Sequence, residues 1–171
     1  AQTGAIPVFA DVNEDLNINL DSVRENLNHK TKAILAVDYA GKICQIEELR
    51  TIAEAQGIPL IEDASQAFGA FRNGAPAGAN SDIAVFSLNP MKPLAALGEA
   101  GAVVTPHADV AERIRALRYL GTVNRETCVD PALNFKIDTL QALILLERMR
   151  DVARIVEARN RVASRYNEAL A

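Results

Sequence analysis

The sequence is poor in the residues that build metal sites and disulfide frameworks. Among its 171 residues are two cysteines and two histidines. Cys44 and Cys128 lie far apart with no C-x-x-C pair, and only His29 and His107 could join them as ligands, so the chain offers no zinc framework. The same scarcity argues against a disulfide scaffold and fits a reducing cytoplasm. Long apolar runs are missing as well: stretches such as 33–37 and 83–86 are far too short for a membrane span, and no basic start leads into an apolar signal core. Positive charge is not in excess. Lys+Arg number 18 against 22 Asp+Glu, a net charge of −4, so no basic stripe is available to neutralise phosphates and nucleic acid binding is set aside. Internal repeats are absent, and the only compositional bias is towards alanine, which favours helices and close helix-to-sheet packing. An initiating methionine is also lacking. The chain opens at Ala1-Gln2-Thr3-Gly4 and closes at Ala171 inside a helical pattern, so it is expected to be a piece of something larger.

What remains is the composition of an ordinary globular protein, 49% hydrophobic and 23% charged. A chain of about 150 residues or more can bury a single sizeable core. Four short apolar runs, at 33–37, 58–61, 83–86 and 102–105, read as buried strands because none alternates polar with apolar. A sheet covered on both faces is expected. Between the first two runs, Ile46, Leu49, Ile52 and Ala53 recur at helical spacing and Gly57 stands where that helix would end, giving a βαβ unit. Residues 21–27 form a short helix candidate with an acidic first turn. A second amphipathic stretch covers 108–120. From Asp138 onward the pattern predicts one long helix, or two joined near Arg150-Asp151, with charges such as Arg159 and Arg161 on a solvated face. The class is α/β.

In such sheets function collects where strands end. Asp63 follows the second run, and on residue type alone it suits a helix cap as well as a functional carboxylate. Ser87 follows the third run, where a serine is ordinarily a turn or cap residue. Lys92 lies between Pro90 and Pro93 in an apolar, alanine-rich loop. Most lysines are simply solvated, but flanking prolines fix this backbone and apolar neighbours lower the cost of keeping the amine uncharged. An Asp, a Ser and a Lys along one edge are the groups that pyridoxal phosphate needs: a carboxylate for the ring nitrogen, a donor for the phosphate and an amine for covalent attachment.

The runs Ile61-Glu62-Asp63-Ala64-Ser65-Gln66-Ala67-Phe68-Gly69-Ala70, Phe86-Ser87-Leu88-Asn89-Pro90-Met91-Lys92 and Gly98-Glu99-Ala100-Gly101-Ala102-Val103-Val104-Thr105 together resemble the consecutive signatures of the DegT/StrS-type sugar nucleotide aminotransferases, fold-type-I pyridoxal phosphate enzymes. The opening segment 4–12, the turn Val37-Asp38-Tyr39-Ala40-Gly41 and the closing segment 165–170 match in order too, so the likeness covers essentially the whole chain. It implies a mostly parallel sheet sandwiched by helices, with residues 1–137 as the central part of the cofactor-binding large domain. Residues 138–171 would be a helical segment leading toward a small domain that is absent. The family's N-terminal phosphate turn and ring-stacking aromatic have no counterpart here.

By the same resemblance, Lys92 is the lysine that holds the cofactor and then moves the proton, and Asp63 pairs with the ring nitrogen. Gln66 lies beside the ring and its hydroxyl, Ser87 binds the phosphate, and Asn134 reaches the phosphate of a neighbouring subunit in a homodimer with a shared active site. Lys136 stands where the family usually has Arg and lacks the planar fork of a guanidinium. The implied reaction moves an amino group from an amino acid such as glutamate to a nucleotide-linked keto-sugar. Relatives with His at the Lys92 position dehydrate sugars instead, so Lys92 favours transamination over a dehydratase. The intact set Asp63, Gln66, Ser87 and Lys92 argues against a catalytically degenerate regulatory protein. A receiver-type signalling domain fails on spacing: the five residues from Ser87 to Lys92 cannot hold the helix that would separate them. His29, His107, Cys44 and Cys128 read as structural.

Overall fold

The computed structural model describes residues 3–171. In chain order it contains helix α1 (Leu20–Asn26), strand β1 (Ile34–Val37), helix α2 (Ile46–Gln56), strands β2 (Leu60–Asp63), β3 (Phe71–Arg72), β4 (Ala75–Pro76), β5 (Ile83–Ser87) and β6 (Gly101–Val104), helix α3 (Ala108–Leu117), strands β7 (Thr122–Val123) and β8 (Thr127–Cys128), and helices α4 (Thr139–Met149) and α5 (Val152–Leu170). The four longer strands form a sheet in the order β1-β2-β5-β6, and the short ones pair as two hairpins. The architecture is α/β with a mostly parallel sheet and helices, as expected. The chain divides into two units, Ala1–Ala84 and Val85–Ala171.

The first unit is built on the βαβ segment. Ile46, Leu49 and Ala53 are the buried residues of α2, at the spacing that lines one helical face. They pack with Ile34, Ala36, Leu60 and Cys44 in one apolar core. Gly57 ends the helix in the left-handed conformation at φ 63° and donates to the carbonyls of Ala53 and Glu54, the role that its position predicts. The following strand begins at Leu60, two residues later than the apolar run suggests. The reason is local: the Ile58 N–H is spent on the Ala53 carbonyl at 3.1 Å, and Pro59 has no N–H to give. At its other end the strand runs past the apolar run through Glu62 and Asp63, which pair with Ala36 and Val37 of β1.

Strands β1 and β2 run parallel, with Ala36 opposite Glu62 and Val37 opposite Asp63. Side chains alternate between faces. Ile34, Ala36, Leu60 and Glu62 therefore share the buried, α2-covered side, while Leu35, Ile61 and Asp63 project to the other, where Leu35 is 56% exposed. Helix α1 begins one residue before its expected start, because the Asn19 side chain caps it by accepting from Ser22 N–H at 2.8 Å. The β3–β4 hairpin turns on Asn73-Gly74, both at positive φ. Apolar runs do not reveal it, although Asn-Gly is a strong hairpin signal.

In the second unit α3 stops at Leu117, short of the expected Leu120. Leu120 and Gly121 take positive φ, and Phe135 N–H bonds the Arg118 carbonyl at 2.8 Å, which turns the chain out of the helix. The closing segment is two helices separated at Arg150-Asp151. Among the described residues no helix is long and apolar enough to cross a membrane.

Candidate active site

Asp63 is the last residue of β2, half-buried at the strand's carboxyl end. No helix follows directly, so the capping alternative gives way to a turn: one carboxylate oxygen accepts from Ser65 N–H at 3.0 Å. Its carbonyl accepts from Asp38 N–H at 3.0 Å, which continues the β1–β2 ladder one step past the strands. Gln66 stands three residues further on and is exposed. Its Oε1 accepts from Ala40 N–H at 3.0 Å, so the amide is oriented and its NH2 group remains for donation.

The partner of Gln66 is the short turn Tyr39–Gly41. Here Ala40 at φ 53° and Gly41 at φ 84° both adopt the left-handed region. A Cβ on Gly41 would lie 3.0 Å from the Gln66 carbonyl oxygen at a φ that L side chains rarely adopt, so any other residue would strain this approach. The turn is held from below by side chains that residue patterns do not single out. Asn17, 3% exposed, accepts from Tyr39 N–H at 3.0 Å and donates to the Lys42 carbonyl at 3.1 Å. Asp38, fully buried, accepts from Cys44 N–H at 3.0 Å.

Behind β2 lies a second buried carboxyl. Glu62, 1% exposed, accepts from Gly78 N–H at 2.8 Å and from the Ser81 hydroxyl at 2.9 Å. Burial first, and the neighbouring Glu62 after it, raise the Asp38 carboxyl from its ordinary 3.8 to about 7. Burial also pushes the Cys44 thiol upward, so Cys44 is an inert core residue. Alternation alone betrays Glu62, which sits in phase with Leu60 on the apolar side of β2.

In the second unit Ser87 ends β5, half-buried. Lys92 follows in a loop organised by Asn89. The Asn89 side chain accepts from Met91 N–H at 2.9 Å and donates to Glu99 at 2.8 Å, while its carbonyl accepts from Lys92 N–H at 2.9 Å. Behind the lysine Leu94, Ala95 and Ala96 are buried, and Leu97 N–H is capped by Gln141 of α4 at 2.8 Å. Lys92 is half-buried, and among the described residues no carboxylate forms an ion pair with it. Asn134 is exposed, bridges Tyr119 in an isolated antiparallel pair and accepts from Lys136 N–H at 3.1 Å. The Lys136 ammonium lies 5.6 Å from the Tyr119 ring centre. The structure thus gathers Asp63 and Gln66 around the 38–41 turn, and Ser87 and Lys92 around Asn89, with Asn134 in a separate loop.

These elements define an α/β protein with Asp63 and Ser87 at the ends of strands and Lys92 in the loop that follows β5. The chain belongs to the DegT/DnrJ/EryC1/StrS aminotransferase family, whose family model matches residues 1–171. It is 40% identical to the dTDP-3-amino-3,4,6-trideoxy-alpha-D-glucose transaminase of Micromonospora megalomicea subsp. nigra, over 99% of this chain and 46% of that protein. Its fold matches S. venezuelae DesV with a TM-score of 0.95 at 34% identity, covering 99% of this chain and 46% of that one. It also matches NtdA of Bacillus subtilis, solved with bound cofactor PMP, with a TM-score of 0.81 at 32% identity over 88% of this chain and 35% of the other. The chain spans about half the length of the curated relatives it matches.

Proposed function

We propose that this chain carries the cofactor-binding core of a pyridoxal phosphate-dependent aminotransferase that moves an amino group from an amino acid, such as glutamate, to a nucleotide-linked keto-sugar. The observation that carries the proposal is Lys92: an amine held in a proline-flanked loop that pairs with no carboxylate among the described residues. A lysine in such a setting is suited to act as nucleophile and base. Family membership and the transaminase among its relatives support the same reading.

The residues present fit the cofactor by the chemistry of their donors. Asp63 offers a carboxylate with one oxygen engaged by Ser65 and the other left to accept the ring N–H. Gln66, fixed through its carbonyl by Ala40, would donate its amide to the ring hydroxyl. Ser87 would hold the phosphate, and Asn134 would reach the phosphate of a second subunit in a homodimer. Pyridoxal phosphate, when bound, supplies a ring that delocalises the electron pair left by a broken C–H bond. Lys92 would hold the cofactor and then, displaced by the incoming amine, take the proton from the substrate carbon and return it to the adjoining position. A carboxylate at the ring nitrogen keeps that nitrogen protonated, which is what makes the ring an electron sink. Lysine at position 92 favours this reaction over sugar dehydration. In this reading residues 138–171 lead out of the large domain, and the enzyme works in the cytoplasm.

Transamination measured with glutamate and a nucleotide-linked keto-sugar tests the proposal. The full-length protein should form the amino-sugar, and Asp63→Ala should weaken cofactor binding and nearly abolish turnover. Retained turnover in that variant would remove Asp63 from its role.

A further inference from the structure

Two buried carboxyl groups on the far side of β2 are not used by this chemistry. Asp38 and Glu62 both lie on the α2-covered side, because Asp38 follows Ile34 and Ala36 in the alternation and Ala36 stands opposite Glu62. Each oxygen of Glu62 has a donor, Gly78 N–H or the Ser81 hydroxyl. On Asp38 only Oδ1 is satisfied, by Cys44 N–H, and Oδ2 is buried without a donor. An ionised carboxylate in that position is costly, since an unsatisfied buried acceptor loses its hydration with nothing in return. A proton on Oδ2 removes the deficit, for it turns Oδ2 into a donor towards Glu62, the neighbouring carboxyl within hydrogen-bonding reach.

This pair stands at a structural junction. Asp38 N–H bonds the Asp63 carbonyl, and the Asp38 carbonyl accepts from Gly41 N–H at 3.3 Å. The turn so fixed presents Ala40 N–H to Gln66. Glu62 precedes Asp63 in the chain and anchors the strand end to residues 78 and 81. We propose that Asp38 and Glu62 are positioning residues for the cofactor seat: protonated Asp38 donates to the Glu62 carboxylate, and this bond fixes the Tyr39–Gly41 turn and the strand end that carry Gln66 and Asp63. The inference rests on the proposed function, which assigns those two residues to the cofactor.

Three other groups bear on the pair. Cys44 touches Asp38 directly, Arg72 interacts with Cys44, and Arg72 is itself paired with Glu47 at 2.9 Å. None of them supplies a donor to Asp38 Oδ2.

The test is hydrogen exchange of the Tyr39, Ala40 and Cys44 amides in the cofactor-free full-length protein, together with the dissociation constant of pyridoxal phosphate. Asp38→Ala should speed exchange roughly ten- to hundredfold, the range expected when a buried hydrogen-bond partner is removed, and weaken cofactor binding. Asp38→Asn, whose Nδ2 donates as the protonated acid does, should restore both to within about twofold of the parent, well inside the loss expected on removing the partner. In the parent, protection of these amides should fall as pH rises through about 7, and in Asp38→Asn it should not. The proposal is overturned if Asp38→Asn behaves like Asp38→Ala, if parental protection has no such pH dependence, or if exchange accelerates while cofactor affinity stays unchanged. A parent protein that takes up no pyridoxal phosphate overturns the proposed function instead, and exchange then still reports whether the pair holds the turn.

Discussion

Gly41→Ala isolates the contact on which the placement of Gln66 depends. Two costs arise there. The backbone sits at φ 84°, a left-handed conformation that costs an L-residue about 1–2 kcal/mol. In addition the new Cβ would lie 3.0 Å from the Gln66 carbonyl oxygen, a backbone atom that cannot rotate away. Gly57 provides the reference, since its φ is 63° but a Cβ there meets nothing within 4 Å. Gly57→Ala therefore carries the conformational cost alone. Gly41→Ala should exceed it by about 1 kcal/mol or more, the scale of moderate steric strain in a packed site. The urea midpoint of Gly41→Ala should therefore lie below that of Gly57→Ala. Urea unfolding of both variants in the full-length protein measures the difference, and cofactor affinity, lowered only in Gly41→Ala, shows that the displaced group is Gln66. Equal destabilisation of the two variants would refute the reasoning.

Protonation of Asp38 makes stability depend on pH in a defined direction. The folded carboxyl, raised to about 7 from 3.8, binds its proton more tightly than the unfolded one. The pair therefore stabilises the fold at low pH, and that contribution is lost as pH rises from about 4 to about 7. At 1.36 kcal/mol for each tenfold change in proton activity, the full effect is at most about 4 kcal/mol. Urea midpoints of the parent measured against Asp38→Asn across this range should show the decline, and a flat difference would contradict it. Leu60→Ala, which removes a fully buried side chain of β2 from the core shared with β1 and α2, should cost about 2–5 kcal/mol in the same assay. At Gly121 a Cβ would collide with the Asp130 carbonyl, so Gly121→Ala should disrupt the β7–β8 loop, as increased proteolytic cleavage between residues 118 and 136 would report.

Much of the architecture is legible because burial writes itself into residue spacing. The α2 stripe and Gly57 give a helix to within a residue, and four apolar runs give the four strands of the sheet. The errors have local causes. Apolarity alone cannot say that Ile58 N–H closes a helix, so the run at 58–61 starts β2 early, and because it stops at Ile61 it leaves Asp63 outside the strand. Two-residue strands such as β3 and β7 are too short to show a period, and only their turn residues mark them. Asp63 and Ser87 are visible as polar residues where strands end and Lys92 by its flanking prolines, whereas Gln66 is singled out only by the family resemblance. Asn17 is not visible, because its work is to bond backbone groups 22 and 25 residues away; nor are Asp38 and Asn89, whose side chains fix loops outside any apolar period. Glu62 could have been read from its phase with Leu60, an acid on an apolar face.

The central claim is that Lys92 holds the cofactor, and the most direct measurement is reductive trapping. Full-length protein is incubated with pyridoxal phosphate, reduced with borohydride, digested and analysed by mass spectrometry. The reduced cofactor should be found on the peptide containing Lys92, and the visible absorbance band of the unreduced protein should be missing in Lys92→Ala. A label on a different lysine, or a band that survives Lys92→Ala unchanged, would contradict the account.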